Sequence, residues 1–185
     1  MKMKLTWIFL ATVTLVFSAV TSGQTHEPEF IGEGYFLKSD GGAVPLDKEI
    51  ADFKSGVSWA HNSWDAFSLE VTGGQAKTRF RSGDPLRLVV RAVDNNSDPL
   101  TIVSIYRLKA KKNSRTVLIS KDNSGTVMKS RTNSKDLIRF SGKKYGASSY
   151  LIALTDLPAG EYGIVVANPN NRDEKRVVVS CFGID

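Results

Sequence analysis

Residues 157–167 read LPAGEYGIVVA, and their reading sets the class of fold. LPAG is a turn cluster, in which Pro158 and Gly160 supply backbone angles that other residues resist. YGIVVA at 162–167 then runs through Tyr, Ile and Val, the residue types of a strand. A turn that hands directly into a short apolar strand is the unit of an all-β chain.

The same unit recurs along the chain. Residues 64–71, WDAFSLEV, put Phe67, Leu69 and Val71 on one face. In LRLVVRAV at 86–93, Leu86, Leu88, Val90 and Ala92 alternate with Arg87, Val89, Arg91 and Val93. LTIVSIYRL at 100–108 groups Leu100, Ile102, Tyr106 and Leu108. YFLK at 35–38, TRF at 78–80, TVLI at 116–119, LIRF at 137–140, SYLIAL at 149–154 and VVVSCFGI at 177–184 are further strand candidates. Between them lie SDGG, TGGQ, SGDP, DNNSDP, KDNSG, SGKKYG and NPNNRD, turn clusters rich in Gly, Asn, Asp and Pro. Period-two alternation punctuated in this way predicts one all-β domain over 35–185, a Greek-key or immunoglobulin-like β-sandwich of mostly antiparallel strands. The best helical candidate is DKEIADFKS at 47–55, enough for one or two turns.

LPAGEY places Leu157, Gly160 and Tyr162 in the spacing L-x-x-G-x-Y. This resembles the tyrosine corner of Greek-key sandwiches, which implies a Tyr162 hydroxyl bonded back to the upstream turn. An ordinary hairpin turn with an exposed tyrosine is the alternative. GYFL…GGAVPL, TRFRSGDPLRLVVR and PAGEY…CFGID together resemble a group of exported bacterial proteins. Their C-terminal halves read P-G-E-Y-A and then F-C-F-G-x-D. The matching positions are Gly160, Glu161, Tyr162, Cys181, Phe182, Gly183 and Asp185. Two positions depart: the proline precedes Ala159, and Ser180 stands where an aromatic is usual. The resemblance implies an exported, β-rich protein and assigns no activity.

Export is expected on independent grounds. Lys2 and Lys4 precede LTWIFLATVTLVFSAV, an uncharged apolar run of 16 residues followed by TSG. That pattern is a secretory signal peptide over 1–23, and its apolar run falls short of the roughly 20 residues of a spanning helix. A polar segment at 24–34 follows. No second apolar run of that length occurs, so no membrane span is expected in the mature chain, and the location is periplasmic or secreted. The full chain holds 25 Lys plus Arg against 19 Asp plus Glu; two lysines leave with the signal and no acid does.

Cys181 is the single cysteine, so the chain holds no internal disulfide. On a strand at 177–184 it shares a face with Val177 and Val179, while Val178, Ser180, Phe182 and Ile184 share the other. A core thiol, an intermolecular disulfide and a nucleophile are the three readings. The valine row favours the first. With one Cys and two His, a zinc site would have to be mostly carboxylate, and no metal or cofactor is expected. WAHNSWD at 59–65 is the richest polar-aromatic cluster, with Trp59, His61, Trp64 and Asp65. His61 and Asp65 are the one base-and-orienter pair open to a hydrolase, and Trp59 and Trp64 are candidate stacking residues for a ligand.

Charge is unevenly spread. Residues 107–144 hold twelve Lys and Arg against Asp122 and Asp136 alone. Lys109, Lys111, Lys112, Arg115, Lys143 and Lys144 are its candidate binding residues. The partner implied is an anionic envelope polymer, an acidic glycan or an acidic protein, with nucleic acid excluded by export. A solvated, lysine-blunted sheet edge is the bland alternative. Together these features point to a non-catalytic exported binding or envelope-accessory module. A hydrolase using His61 and Asp65, and a structural subunit joined through an edge strand, are the competing functions.

Overall fold

The structure, a computed structural model, describes residues 26–57, 64–123, 129–132, 135–173 and 176–185. The expected signal peptide lies outside them. Among the described residues there are thirteen strands and one helical turn. In chain order they are β1 (Gly34–Leu37), β2 (Ala43–Pro45), β3 (Asp47–Val57), β4 (Trp64–Thr72), β5 (Arg79–Phe80), β6 (Leu86–Arg91), α1 (Pro99–Ile102), β7 (Val103–Ala110), β8 (Ser114–Asn123), β9 (Lys129–Thr132), β10 (Ser141–Tyr145), β11 (Ser149–Leu154), β12 (Gly160–Val166) and β13 (Arg176–Ile184). No helix among the described residues is long and apolar enough to cross a membrane.

The strands form two sheets. The smaller runs β10-β11-β6-β1-β2, antiparallel throughout. The larger runs β12-β7-β8-β4-β3-β13, and β13 then pairs with β12, so the six strands close into a ring. β9 adds to β8, and β5 makes a short parallel contact with β13. The all-β, antiparallel expectation holds. The larger sheet, however, is a closed barrel rather than the open layer of an immunoglobulin-like sandwich. The cause is the reach of β13, which pairs with β3 through 176–181 and with β12 through 180–184. A strand bonded on both sides leaves no edge there.

Two cores follow from this arrangement. Phe36, Leu86, Leu88, Val90, Tyr150 and Ile152 of the small sheet pack on Ile105, Tyr162, Ile164 and Phe182 of the barrel wall. Phe182 stacks on Tyr162 at 5.1 Å between ring centroids and meets Phe36 edge-on at 5.1 Å. The second core fills the barrel with Ala51, Leu69, Val71, Tyr106, Leu108, Val117, Val179 and Cys181. β13 thus serves both cores by alternation, with Val179 and Cys181 facing the barrel and Phe182 and Ile184 facing the small sheet.

The polar segment expected at 24–34 is tied to the small sheet in its described part. Arg91 Nη1 donates to the carbonyls of Pro28 (2.8 Å) and Glu29 (3.0 Å). The Glu27 carboxylate accepts the amides of Ala147 and Ser148, each at 3.0 Å. Burial pushes the Glu27 carboxyl up, but bonds from Ser149, Ser148 and Ala147 outweigh it and hold the group below its ordinary value.

Three local expectations are corrected. DKEIADFKS is strand, not helix, because β3 is paired on both sides, with β4 and β13. Residues 99–102 form a helical turn capped by Asp98, whose carboxylate accepts the Leu100 amide at 2.8 Å, so the strand expected from Leu100 begins at Val103. LIRF contributes a single bridge, Leu137 to Tyr106.

The LPAGEY segment makes the bond of a tyrosine corner. The Tyr162 hydroxyl donates to the Pro158 carbonyl at 2.6 Å, with Tyr162 fully buried and Leu157 in the core beside it. Tyr162→Phe keeps the ring and orphans that carbonyl. It should lower stability in urea by about 1–2 kcal/mol without altering the fold seen by circular dichroism.

Cys181 is unpaired and has no solvent exposure, and burial pushes its thiol up to about 12. Labelling of the native thiol by a disulfide reagent should be slow and become fast in denaturant. Cys181→Ala should cost on the order of 1 kcal/mol in the same urea titration, through lost packing. Fast native labelling would contradict the burial.

Candidate functional site

The weakest joint of the barrel lies between β7 and β8. The two strands pair only at Lys109 with Thr116 and at Ala110 with Arg115. Further back, segment 135–138 takes the edge of β7: Arg107 N donates to the Asp136 carbonyl and Ile138 N to the Ile105 carbonyl, both at 2.8 Å. The strands therefore diverge and leave a cleft of about 1330 Å3. Arg107, Lys109, Lys111, Lys112 and Lys135 line it, with Leu108, Val117 and Leu118 among the apolar lining. Lys109, Lys111 and Lys112 are exposed, and among the described residues none of their ammonium groups is in an ion pair.

The hairpin that carries these lysines is held in place by the TGGQ turn. Gly73, at φ +85°, donates its amide to the Asn113 carbonyl at 2.9 Å. A Cβ on Gly74 would stand 2.7 Å from the Lys111 carbonyl oxygen and 2.9 Å from that of Lys112, so only glycine allows this approach. Arg115 grips the same turn from inside, with Nε donating to the Gly73 carbonyl (3.0 Å) and Nη2 to that of Thr72 (3.2 Å).

Arg115 therefore does not belong among the surface cations. Its side chain is 1% exposed, and its Nη1 lies 3.7 Å from a Glu161 carboxylate oxygen. Glu161 is shared: the Ala76 amide donates to that same oxygen at 2.7 Å, and the other oxygen meets Arg79 Nη1 at 2.7 Å. Arg79 in turn holds Asp185, Nε and Nη2 reaching Oδ1 at 2.9 and 2.6 Å. A side chain at Gly183 would collide with the Arg79 guanidinium. The bonds from Asp185 and Glu161 push Arg79 further above its ordinary value, and the bond from Arg79 holds the Asp185 carboxyl below its own.

Lys143 and Lys144 sit elsewhere. They lie exposed on β10, an edge strand of the small sheet, where Lys144 Nζ donates to Asn96 Oδ1 at 3.1 Å. β10 approaches α1, since a Cβ on Gly142 would stand 3.0 Å from Pro99 Cγ. The lysine hairpin begins beyond the opposite end of β7, roughly 20 Å away at the rise of a strand. The structure thus divides the basic region into a cleft group, an edge group and one buried arginine. Trp59 and His61 lie outside the described residues, and Trp64 and Asp65 are described only as backbone of β4. Gly160 lines the cleft, its absent Cβ leaving room for the Arg107 guanidinium 3.1 Å away. Among the described residues no group of three or more His, Cys, Asp or Glu is placed to hold a metal ion.

Sequence reasoning missed Arg79 and its pairing with Glu161 and Asp185, two positions it met only within a resemblance. A signal for Arg115 was present, because it stands two residues before Val117 and so shares its inward face. Compared with known proteins, the chain matches no family model and no curated protein.

The Asp185–Arg79 pair makes stability depend on acid. Asp185 has a folded value below its ordinary one, so its contribution is present above the unfolded value and is lost as pH falls through the folded value. Asp185→Asn should be less stable than the wild type at neutral pH. The gap should close below the ordinary aspartate range, as checked by urea midpoints measured across pH.

Proposed function

We propose that the protein is an exported, non-catalytic binding module that takes an anionic partner in the cleft between β7 and β8. The observation that carries this reading is the exposed set Lys109, Lys111 and Lys112 at the cleft, in no ion pair among the described residues, on a hairpin fixed by Gly74 and Arg115. Like charges gathered on one rigid hairpin repel one another. An anion that neutralises them relieves this, and a fixed backbone does not have to be ordered on binding. Arg107 and Lys135 extend the same field along the cleft. Of the two acids that line the cleft, Asp136 and Glu161, the second is already held by Arg79 and Arg115. Export, supported by the basic start and apolar run of residues 1–23, places the partner in the envelope or outside the cell.

Lys143 and Lys144 are assigned a different role. β10 is exposed along its length at the end of a sheet, and two lysines there discourage pairing with another chain.

Retention on a column of immobilised polyglutamate tests the reading. Lys109→Glu/Lys111→Glu/Lys112→Glu should elute at much lower salt than the wild type, with an unchanged thermal midpoint. Lys143→Glu/Lys144→Glu should elute close to the wild type. Equal retention of the first variant would remove the cleft as the anion site.

A further inference from the structure

We propose that the partner at this cleft is an extended acidic polypeptide with carboxylates on alternate residues, laid across the outer face of β7; this rests on the anion-binding reading above. Side chains along β7 alternate between buried Tyr106 and Leu108 and exposed Arg107 and Lys109. The strand course continues one residue past Ala110, because Lys111 N donates to the Ser114 carbonyl at 2.8 Å. Lys111 therefore keeps the phase of Arg107 and Lys109. Three cations stand in a row on one face, about 6.8 Å apart, twice the rise of a strand.

An extended peptide repeats on each face with the same period. Carboxylates on every second residue therefore meet all three cations without either backbone bending. A polymer whose charges recur at another interval meets one cation and slips out of register with the next. The row is held at both ends: Arg107 Nη2 donates to the Ala159 carbonyl at 2.7 Å, and the Lys109–Ala110 end is paired to β8. The intervening side chains of such a peptide point away from the sheet, because the β7 residue between Arg107 and Lys109, Leu108, faces the barrel core.

Two labelled octapeptides of one composition decide the matter, one alternating Glu and Thr, the other with four Glu followed by four Thr. Fluorescence anisotropy at low salt should show the alternating peptide bound about threefold more tightly, since the block peptide reaches two of the three cations and the alternating one gains a third exposed ion pair in register. Lys109→Glu/Lys111→Glu should abolish that preference, whereas Lys143→Glu/Lys144→Glu should keep it. Equal affinity for the two peptides would overturn the register while leaving anion binding intact. Polygalacturonate or polyphosphate bound more tightly than the alternating peptide, per charge, would overturn the peptide partner in favour of that polymer. No binding by any of these anions would overturn both this inference and the reading it rests on.

Discussion

The Glu161 carboxylate, buried between two guanidiniums, is the constraint on which the barrel depends. Taking one carboxylate out of water costs on the order of several kcal/mol unless opposite charge and hydrogen bonds replace the lost solvent. Here both oxygens are used, one by Arg79 and the other by the Ala76 amide with Arg115 nearby. The four residues of the chain Asp185–Arg79–Glu161–Arg115 come from the residue after β13 and from β5, β12 and β8. Two of those strands, β12 and β13, are the pair that closes the ring. Separating them would strand a buried charge, so the electrostatic network and the closure stabilise each other. The Arg115 Nη1 group has no hydrogen bond and rests on the ion pair alone, which makes Glu161 the less replaceable of the two.

The same network reaches the surface through Arg115. Its guanidinium fixes the 72–73 carbonyls, Gly73 fixes Asn113, and Gly74 lets the turn lie against Lys111 and Lys112. A positive charge inside the barrel thus holds the turn that presents positive charges outside it. The twelve basic residues of 107–144 are therefore not one patch. Among them one is buried, two lie on a sheet edge, and five line the cleft where the barrel opens.

Much of the strand content was legible because period-two alternation is a local signal: β6, β11, β12 and β13 all fall where that pattern places them. β3 was not legible, for a physical reason. Its exposed Ile50 and half-buried Phe53 stand three apart, a helical spacing, while on the barrel face the fully buried position is only Ala51, with Phe53 packed partly against the same core. Pairing on both sides overrides that pattern, and pairing is not written in the strand itself. Barrel closure was hidden for a similar reason, since alternation assigns two faces to β13 without saying what lies beside its edges. The lysines of the cleft were legible as charge, but their separation from Lys143 and Lys144 depends on sheet order. So does the capture of Arg79 by partners 82 and 106 residues along the chain.

The pattern GEY…CFGxD, met in the sequence as a resemblance without a mechanism, takes on a physical content in the structure. Glu161 and Asp185 bind one guanidinium from two strands, and Gly183 leaves the space through which Arg79 reaches them. Tyr162 locks the turn before β12 and stacks on Phe182, which fills the core under the small sheet. Cys181, one residue earlier, faces the opposite way and fills the barrel. Each position meets a different demand of the same junction, where two cores, a ring closure and a buried charge coincide within five residues of β13 and its end. Burial in this apolar space pushes the thiol up, and the charge of Arg115, which favours the thiolate, does not offset it. The pattern is thus an account of how the barrel closes, and the cleft proposed here as an anion site lies outside it, on the lysine hairpin that Gly74 and Arg115 hold in place.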